Sequence, residues 1–400
     1  MNIIESRSLD PMDPLDDLEP LLDLVGDARV VAIGESSHHV REFYLLRHRL
    51  LRFLVERRGF TVYALEAPFT DAHTIDAWVR GGAGTVEQVA SAGIDHGMGD
   101  CREMHDLLRW MREHERPLRF AGCLAGVPRT ALRAVAAYVK DADPDAFPLA
   151  DRAFRLAGGD REVPSMKAMM DHARRPIEAQ DELTVAISRL LARMETMAGY
   201  QRGQGRGAAH AAAFQHLRNA WYLDHGGRDL GGRGMAVGTA CLDAFGAESV
   251  LRLVEDGARV VVATHNTHIR KTVIEHEGDF GLFPQGYHLA RALGPGYVSI
   301  AATSLGGRTS AGRVAPGHPL GFEAVDVGLP ALAEGSVETL FDGRAPLAIA
   351  DLRGHDPEAF TRIRMLDSFM DVPVVRAYDA VACVPETRSV QITKGPFRQG

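Results

Sequence analysis

The sequence predicts an α/β fold, in which helices flank a mostly parallel central sheet and a helical insertion covers the edge where the strands end. Residues 30–33 form an apolar run, residues 41–57 place apolar side chains at helical spacing, and residues 61–65 form a second apolar run. A strand, a helix and a strand within so few residues predict a right-handed βαβ unit with parallel strands. Both strands therefore end at one edge of the sheet, where open α/β sheets bind their ligands.

Each strand of this unit is followed by side chains that can carry acid–base chemistry. Glu35 and His38 follow the first strand, and Glu66 follows the second. A histidine between two carboxylates has its protonated form favoured and its tautomer fixed, which suits it to take a proton from water and return it. We therefore expect His38 to be a general base. Acids that precede helices also interact favourably with the helix dipole, but that interpretation leaves the histidine unexplained.

The rest of the chain continues the α/β pattern on both sides of a helical block. A helix-to-strand pass ends at residues 118–123, the alternation stops near residue 141, and it resumes with a helix and the apolar run at residues 258–264. This pattern predicts a catalytic core of residues 1–140 and 235–400 and a helical insertion, residues 141–234. Such an insertion tends to lie over the ligand crevice and to shape its pocket as a lid.

Two more histidines follow the strand predicted at residues 258–264. They are His265 and His268, and residues three apart lie on one face where a segment is helical. Three strands thus end on ionisable residues, and this coincidence is the main evidence for a site. The chain has no Gly-x-Ser-x-Gly elbow, no HExxH motif and no Walker loop, which argues against the usual serine hydrolases, zinc proteases and nucleotide-binding enzymes.

The composition is that of a large folded chain without preference for anionic partners. Its 400 residues are 46% apolar and carry a formal net charge of −8, which argues against nucleic acid and anionic membranes as partners. The apolar stretches are too short to cross a bilayer and the first residues lack a signal-peptide core, so we expect a cytoplasmic protein. Four scattered cysteines without a CxxC motif predict neither a disulfide framework nor a thiolate metal site.

The histidine motifs are similar to two signatures of the erythromycin esterase family, which includes proteins described as succinoglycan biosynthesis proteins. The first signature is a strand, a Gly-Glu-x-x-His motif, a basic helix and a strand that ends in Glu-Ala, and the second is His-Asn-x-His after a strand. The matching residues are Gly34, Glu35, His38, Glu66 and Ala67 in the first, and His265, Asn266 and His268 in the second. The likeness extends from about residue 15 to about residue 309, and the two signatures are specific as a pair.

This resemblance implies an α/β core with a helical insert that hydrolyses a macrolide lactone without a metal and without a covalent intermediate. By position, His38 would activate water, and Glu35 and Glu66 would hold and polarise the histidine. His265 and His268 would lie on the carbonyl side as orienting residues or as hydrogen-bond donors to the oxyanion.

The resemblance also assigns supporting residues and shows departures. Asn266 belongs to the second motif, and Arg49 matches a basic position that would anchor the acids. His39 stands where the family usually has glycine, and Ala263 stands where an aromatic residue is common. We expect both departures to affect which substrate is bound more than they affect the catalytic residues.

We therefore expect a hydrolase that opens a lactone or ester of a bulky, largely apolar natural product, with no cofactor. The same base in a pocket without water could instead drive cyclisation, acyl transfer or elimination. A third possibility is a divalent ion held by His38, His265, His268 and the two glutamates. The non-enzymatic alternative is a protein that binds a hydrophobic ligand under the insertion, whose exposed helical faces could also support a homodimer.

Overall fold

The computed structural model describes residues 2–159, 170–230, 241–275, 281–315 and 322–392. Its strands are β1 (Ile3–Ser6), β2 (Val30–Ile33), β3 (Val62–Pro68), β4 (Arg119–Leu124), β5 (Val260–Ala263), β6 (Ile274–Glu275), β7 (Gly281–Leu282), β8 (Tyr297–Val314), β9 (Phe322–Gly328), β10 (Leu347–Asp351), β11 (Arg362–Met365), β12 (Ser368–Asp371) and β13 (Ala380–Thr387). Its helices are α1 (Leu21–Val25), α2 (Arg41–Arg58), α3 (Ala72–Val79), α4 (Val86–Gly93), α5 (Arg102–Glu113), α6 (Pro128–Ala142), α7 (Phe147–Leu156), α8 (Ile177–Gly203), α9 (Gly207–Leu230), α10 (Cys241–Glu255), α11 (Asn266–Ile269), α12 (Gln285–Leu293) and α13 (Val374–Ala377).

A nine-stranded sheet forms the centre of the described part of the chain. Its order is β1-β10-β13-β8-β2-β5-β3-β4, and β9 pairs with the C-terminal half of β8. The six neighbouring strands from β13 to β4 are parallel, whereas β1, β9 and β10 pair in antiparallel fashion. The prediction of a mostly parallel central sheet flanked by helices is confirmed.

The position of β5 decides where the side chains at the strand ends meet. Ala263, the last residue of β5, pairs with Ile33 of β2 on one side and with Leu65 of β3 on the other. The two strands of the predicted βαβ unit are therefore parallel but not adjacent, because a strand from much later in the chain lies between them. The residues that follow all three strands share one edge of the sheet.

Burial on both faces of the sheet explains why its central strands are continuous apolar runs. Every residue of β2 and of β5 is buried, as expected for parallel strands that are covered on both sides. On one face, α2 buries the predicted stripe, which includes Phe43, Leu46 and Leu50. On the other face, α10 and α12 pack against the sheet through side chains such as Val250 and Leu289.

Helices α6, α7, α8 and α9 form a hydrophobic cluster of their own. Leu132 of α6 packs in this cluster with Leu183 of α8 and Leu217 of α9. By its packing α6 belongs with α7, α8 and α9, although most of it precedes residue 141, where the sequence predicts the start of the insertion. The predicted end of the insertion, at residue 234, lies outside the described residues. None of the described helices combines the length and the apolar character needed to cross a membrane.

Candidate active site

Asn266 holds together the loop after β2, the turn after β5 and strand β8. Its backbone N–H donates to the carbonyl of Glu35 at 2.8 Å. Its side-chain amide donates to the carbonyl of Ala302 at 2.8 Å and accepts from the N–H of Ala302 at 3.0 Å. A Cβ atom on Gly34 would lie 2.0 Å from Asn266 Oδ1, so only glycine permits this approach. Asn266 is thus a support residue of the strand ends.

The imidazole of His38 is oriented by Glu35, which is itself held by Arg47. His38 Nδ1 lies 2.7 Å from Glu35 Oε1, and Arg47 Nη1 lies 2.8 Å from Glu35 Oε2. Arg47 also donates to the carbonyl of Thr264 at 2.7 Å, and the side chains of Arg47 and Glu35 are both buried. Burial works to raise the pKa of Glu35, but the charge of Arg47 and the hydrogen bond from His38 outweigh it and lower that pKa. An ionised Glu35 accepts Nδ1–H and leaves Nε2 of His38 for other partners.

His38 Nε2 faces Glu66 across a gap. The separation from Glu66 Oε1 is 3.9 Å, too long for a direct hydrogen bond, and the His38 side chain is 32% exposed. The other oxygen of Glu66 accepts the backbone N–H of His265 at 2.7 Å. Burial would lower the pKa of His38, but the charges of Glu66 and Glu35 raise it above its usual value.

His265 uses both ring nitrogens inside the protein. Its Nε2 lies 3.0 Å from the carbonyl of Ser36, and its Nδ1 lies 2.8 Å from Thr267 Oγ1 and accepts the N–H of Thr267. Burial, and then the charge of His38, lower the pKa of His265 to about 4, so the ring is neutral. The ring packs against His38 with centroids 5.6 Å apart. Both ring nitrogens of His265 therefore already have partners inside the protein. The ring has no N–H left to donate to an oxyanion, which is one of the two roles that the resemblance implies for it.

His268 lies between two carboxylates. Its Nδ1 lies 2.6 Å from Asp243 Oδ1 on α10, and its Nε2 lies 3.4 Å from Glu66 Oε1. Burial would lower the pKa of His268, but Asp243 and Glu66 raise it well above its usual value. Burial works to raise the pKa of Glu66, but the charge of His268, and to a smaller extent that of His38, keeps this pKa below its usual range. Asp243 carries no motif in the sequence, and only its place in the first turn of a helix marks it.

Arg49 does not anchor the acids of the site, and this expectation is corrected. Its fully buried guanidinium binds the N-terminal segment, through the carboxylate of Asp17 and the carbonyls of Asp10, Asp13 and Pro14. Arg47 is the cation that binds Glu35. The two arginines are two residues apart on α2 and point in different directions, because residues at that spacing do not share a helix face.

His39 adopts the backbone conformation that glycine favours. Its φ angle is +61°, in the left-handed region, and its carbonyl accepts the N–H of Val390 at 2.8 Å. A glycine would adopt this conformation without steric cost, whereas a histidine adopts it less readily. Burial, and then the charge of His38, lower the pKa of His39 to about 3, so this histidine is not a second base near neutral pH.

Helices α9 and α10 contact the strand edge next to Glu66. Phe69, which follows β3, contacts the ring of Phe245 on α10 at 5.3 Å and the ring of His216 on α9 at 5.5 Å, both measured between centroids. Thr70 Oγ1 lies 3.0 Å from His216 Nδ1, and Tyr222 of α9 extends the cluster. These contacts form an apolar and aromatic wall beside the end of β3, and the predicted lid over the crevice stays a prediction.

Glu35, His38 and Glu66 could also hold a divalent ion. One ligand atom of each lies within 4.8 Å of the others, and two carboxylates with an imidazole suit such ions. However, His38 Nδ1 and both oxygens of Glu35 are already bound within the protein. Among the donor atoms of these three residues, His38 Nε2 lies outside those contacts, whereas Glu66 Oε1 lies 3.4 Å from His268 Nε2.

Comparisons with known proteins agree with this architecture. Erythromycin esterase type II of Escherichia coli is 30% identical over 348 residues, which are 83% of this chain and 82% of that protein. The structure of an erythromycin esterase mutant in its open conformation superimposes with a TM-score of 0.87 at 24% identity, over 99% of this chain and 100% of the other. A succinoglycan biosynthesis protein superimposes with a TM-score of 0.75 at 17% identity, over 98% of this chain and 96% of the other.

The family model described as erythromycin esterase matches residues 55–387, which is more than half of the chain. The curated relative from Escherichia coli aligns over most of both proteins. The chain therefore belongs to the erythromycin esterase family, and it is an ester-hydrolysing enzyme.

Proposed function

We propose that this enzyme opens the lactone of a macrolide, or a similar ester of a bulky and largely apolar natural product, with water that His38 activates. The observation that supports this mechanism is the orientation of His38. Glu35 holds Nδ1 at 2.7 Å, and Nε2 faces the gap to Glu66 with part of the side chain exposed. The name of the Escherichia coli relative supports a macrolide as the substrate.

In this mechanism His38 is neutral before the reaction, with its single proton on Nδ1. Its Nε2 takes a proton from a water molecule, and the hydroxide oxygen bonds to the carbonyl carbon while the carbonyl π electrons move to the oxygen. The ionised Glu35 and Glu66 stabilise the imidazolium that forms. The tetrahedral intermediate then collapses and breaks the carbon–oxygen ester bond. His38 returns the proton to the leaving alkoxide, which yields a carboxylic acid and an alcohol.

His268 supplies a positive charge that stabilises the negative oxyanion. Its Nε2–H points toward Glu66 Oε1, close to the nitrogen of the base, and can also donate to an oxyanion that forms there. His265 supports this arrangement, because it binds Ser36 and Thr267 through its ring and Glu66 through its backbone N–H. The base and the donor thus lie on either side of one carboxylate.

The experiment is hydrolysis of erythromycin in heavy-oxygen water by the wild-type enzyme and by the His38→Gln variant. We expect one labelled oxygen in the product carboxylate, and a loss of turnover of about 10² to 10⁴ in the variant. His114→Gln is the matched control, because His114 follows α5 and packs against Trp110 away from the site. Circular dichroism confirms that each variant is folded.

The alternatives predict other results. Turnover without incorporation of the label would indicate cyclisation, acyl transfer or elimination by the same base. Recovery of unchanged ligand, with equal binding by the wild type and the His38→Gln variant, would indicate a binding protein. A full rate in the folded His38→Gln variant would remove His38 from the mechanism. A cytoplasmic location, the lack of nucleic-acid and membrane partners, and a homodimer stay predictions from the sequence.

A further inference from the structure

Two acids that are far apart in the chain approach His268 from different sides. Asp243, in the first turn of α10, lies 2.6 Å from Nδ1, and Glu66, in β3, lies 3.4 Å from Nε2. The ring is 31% exposed and the Asp243 side chain is 18% exposed, so the pair lies at the wall of the crevice and not in the core. Both nitrogens of this ring therefore face carboxylate oxygens.

These contacts determine which nitrogens carry hydrogen. An ionised carboxylate only accepts hydrogen bonds, so each nitrogen that faces one needs its own hydrogen. A neutral ring could satisfy only one of the two acids and would turn the lone pair of the other nitrogen toward an anion. His268 with hydrogens on both nitrogens satisfies both acids.

Three other histidines lie near His268 and Asp243 or interact with their charges. The neighbouring imidazoles are His265, on the same turn, which is neutral because burial lowers its pKa, and His38, after β2, whose Nε2 faces the same oxygen of Glu66. The charge of Asp243 also acts on His288, on α12, but burial outweighs it and lowers the pKa of His288. Burial works to lower the pKa of His268, but Asp243 and Glu66 outweigh it and raise that pKa.

We propose that Asp243 is a positioning residue for the ester hydrolysis: it fixes the His268 ring so that Nε2–H points at the place where the oxyanion forms. The inference rests on the proposed function for its catalytic meaning, and on the observed contacts for its geometry. Without Asp243, Glu66 alone would bind the ring, and either nitrogen could face it. The donor would then lose its fixed direction and its charge.

The first experiment is a set of four variants assayed on erythromycin: Asp243→Asn, Asp243→Ala, His268→Ala and the double variant Asp243→Ala with His268→Ala. Loss of one preorganised donor to an oxyanion costs about 10² to 10³ in kcat, and we expect this loss in His268→Ala and most of it in Asp243→Ala. Because the donor acts on the intermediate and not on the bound ester, KM should change little. Glu255→Gln, an exposed carboxylate at the end of the same helix, is the matched control.

The double variant separates positioning from a general effect on the fold. If Asp243 acts through His268, removal of its carboxylate costs nothing further once His268 is alanine. Asp243→Asn keeps an oxygen that can accept Nδ1–H but loses the charge, so it should retain more activity than Asp243→Ala. Losses that multiply in the double variant, or full kcat in folded Asp243→Ala, would overturn the proposal.

The second experiment needs no turnover. In protein labelled with nitrogen-15 histidine, His268 of the wild type should carry hydrogens on both nitrogens at neutral pH, and Asp243→Asn should lose one of them at a lower pH than the wild type. An unchanged His268 spectrum in Asp243→Asn would overturn the positioning role even if erythromycin is hydrolysed. A changed spectrum in an enzyme that does not hydrolyse erythromycin would keep the positioning role and remove the proposed substrate.

Discussion

His38 and His268 face the same oxygen of Glu66, with their Nε2 atoms 3.9 Å and 3.4 Å away from it. The two imidazoles are nevertheless prepared for opposite tasks. His38 is bound at Nδ1 by Glu35, and in the proposed mechanism it gains a proton; His268 is bound at Nδ1 by Asp243, and in that mechanism it carries hydrogens on both nitrogens from the start. In the proposed mechanism Glu66 therefore lies between a base and a cation, and its negative charge stabilises the positive charge of both imidazoles.

The pH dependence of kcat/KM tests the state of the base. His38 can accept a proton only when it is neutral, and Glu66 and Glu35 raise its pKa above the usual 6.5. Activity should therefore rise with pH through a pKa above that value. Glu66→Gln removes the larger of these two charge effects, so the acid limb should move to lower pH. The measurement is a pH profile of kcat/KM for both proteins, and an acid limb that stays in place would separate Glu66 from the base.

Parts of this site could be predicted from the sequence because they lie in short local motifs. Glu35 and His38 are three residues apart after a strand, and His265 and His268 are three apart after another, so each pair could be read from spacing alone. Parallel strands then bring the pairs to one edge. The structure places these four residues and Glu66 together.

Other parts could not be predicted because they depend on tertiary contacts. β5 enters the sheet between β2 and β3 although residues 69–259 separate it from β3 in the chain, and no local pattern specifies that order. Asp243 meets His268 only through the packing of α10. The choice between Arg47 and Arg49 depends on the rotation of α2 about its axis, and the apolar stripe alone did not resolve it.

Arg47 and Arg49 offer a direct contrast, since both are buried and each binds a carboxylate. Arg47→Met leaves the buried Glu35 without its cation, which typically costs about 3–5 kcal/mol of stability, and it also disturbs the partner of the base. We expect the Arg47 variant to lose both stability and kcat. Arg49→Met should lose stability because the N-terminal segment is released, while kcat of the folded protein stays near the wild-type value. Urea unfolding and steady-state kinetics on the two variants decide, and equal kcat in both would contradict the assignment.

Gly34 tests the close approach between the strand ends. In Gly34→Ala the new methyl group would lie 2.0 Å from Asn266 Oδ1, so the hydrogen bonds between the Asn266 side chain and Ala302 must break or the strands must shift. Overpacking of this kind typically lowers the free energy of unfolding by about 1–3 kcal/mol. Activity should fall as well, because Glu35 and His265 move when Asn266 moves. Gly306→Ala in β8 is the control, because nothing lies within 4 Å of its added Cβ. Equal thermal unfolding temperatures for the two variants would show that a side chain at position 34 is accommodated without strain.

Removal of metal tests the choice between water activated by histidine and water activated by an ion. His38 Nδ1 and both oxygens of Glu35 are occupied by protein partners, and Glu66 Oε1 faces His268 Nε2, so a divalent ion at this cluster would have to displace these contacts. We therefore expect the rate to survive dialysis against a chelator. Added Zn²⁺ should lower the rate, because an ion on Nε2 would occupy the atom that takes the proton. The check is metal analysis of the purified protein together with kinetics before and after dialysis. Loss of activity that a divalent ion restores would assign the water to a metal, and Nε2 of His38 would then be a ligand and not the base.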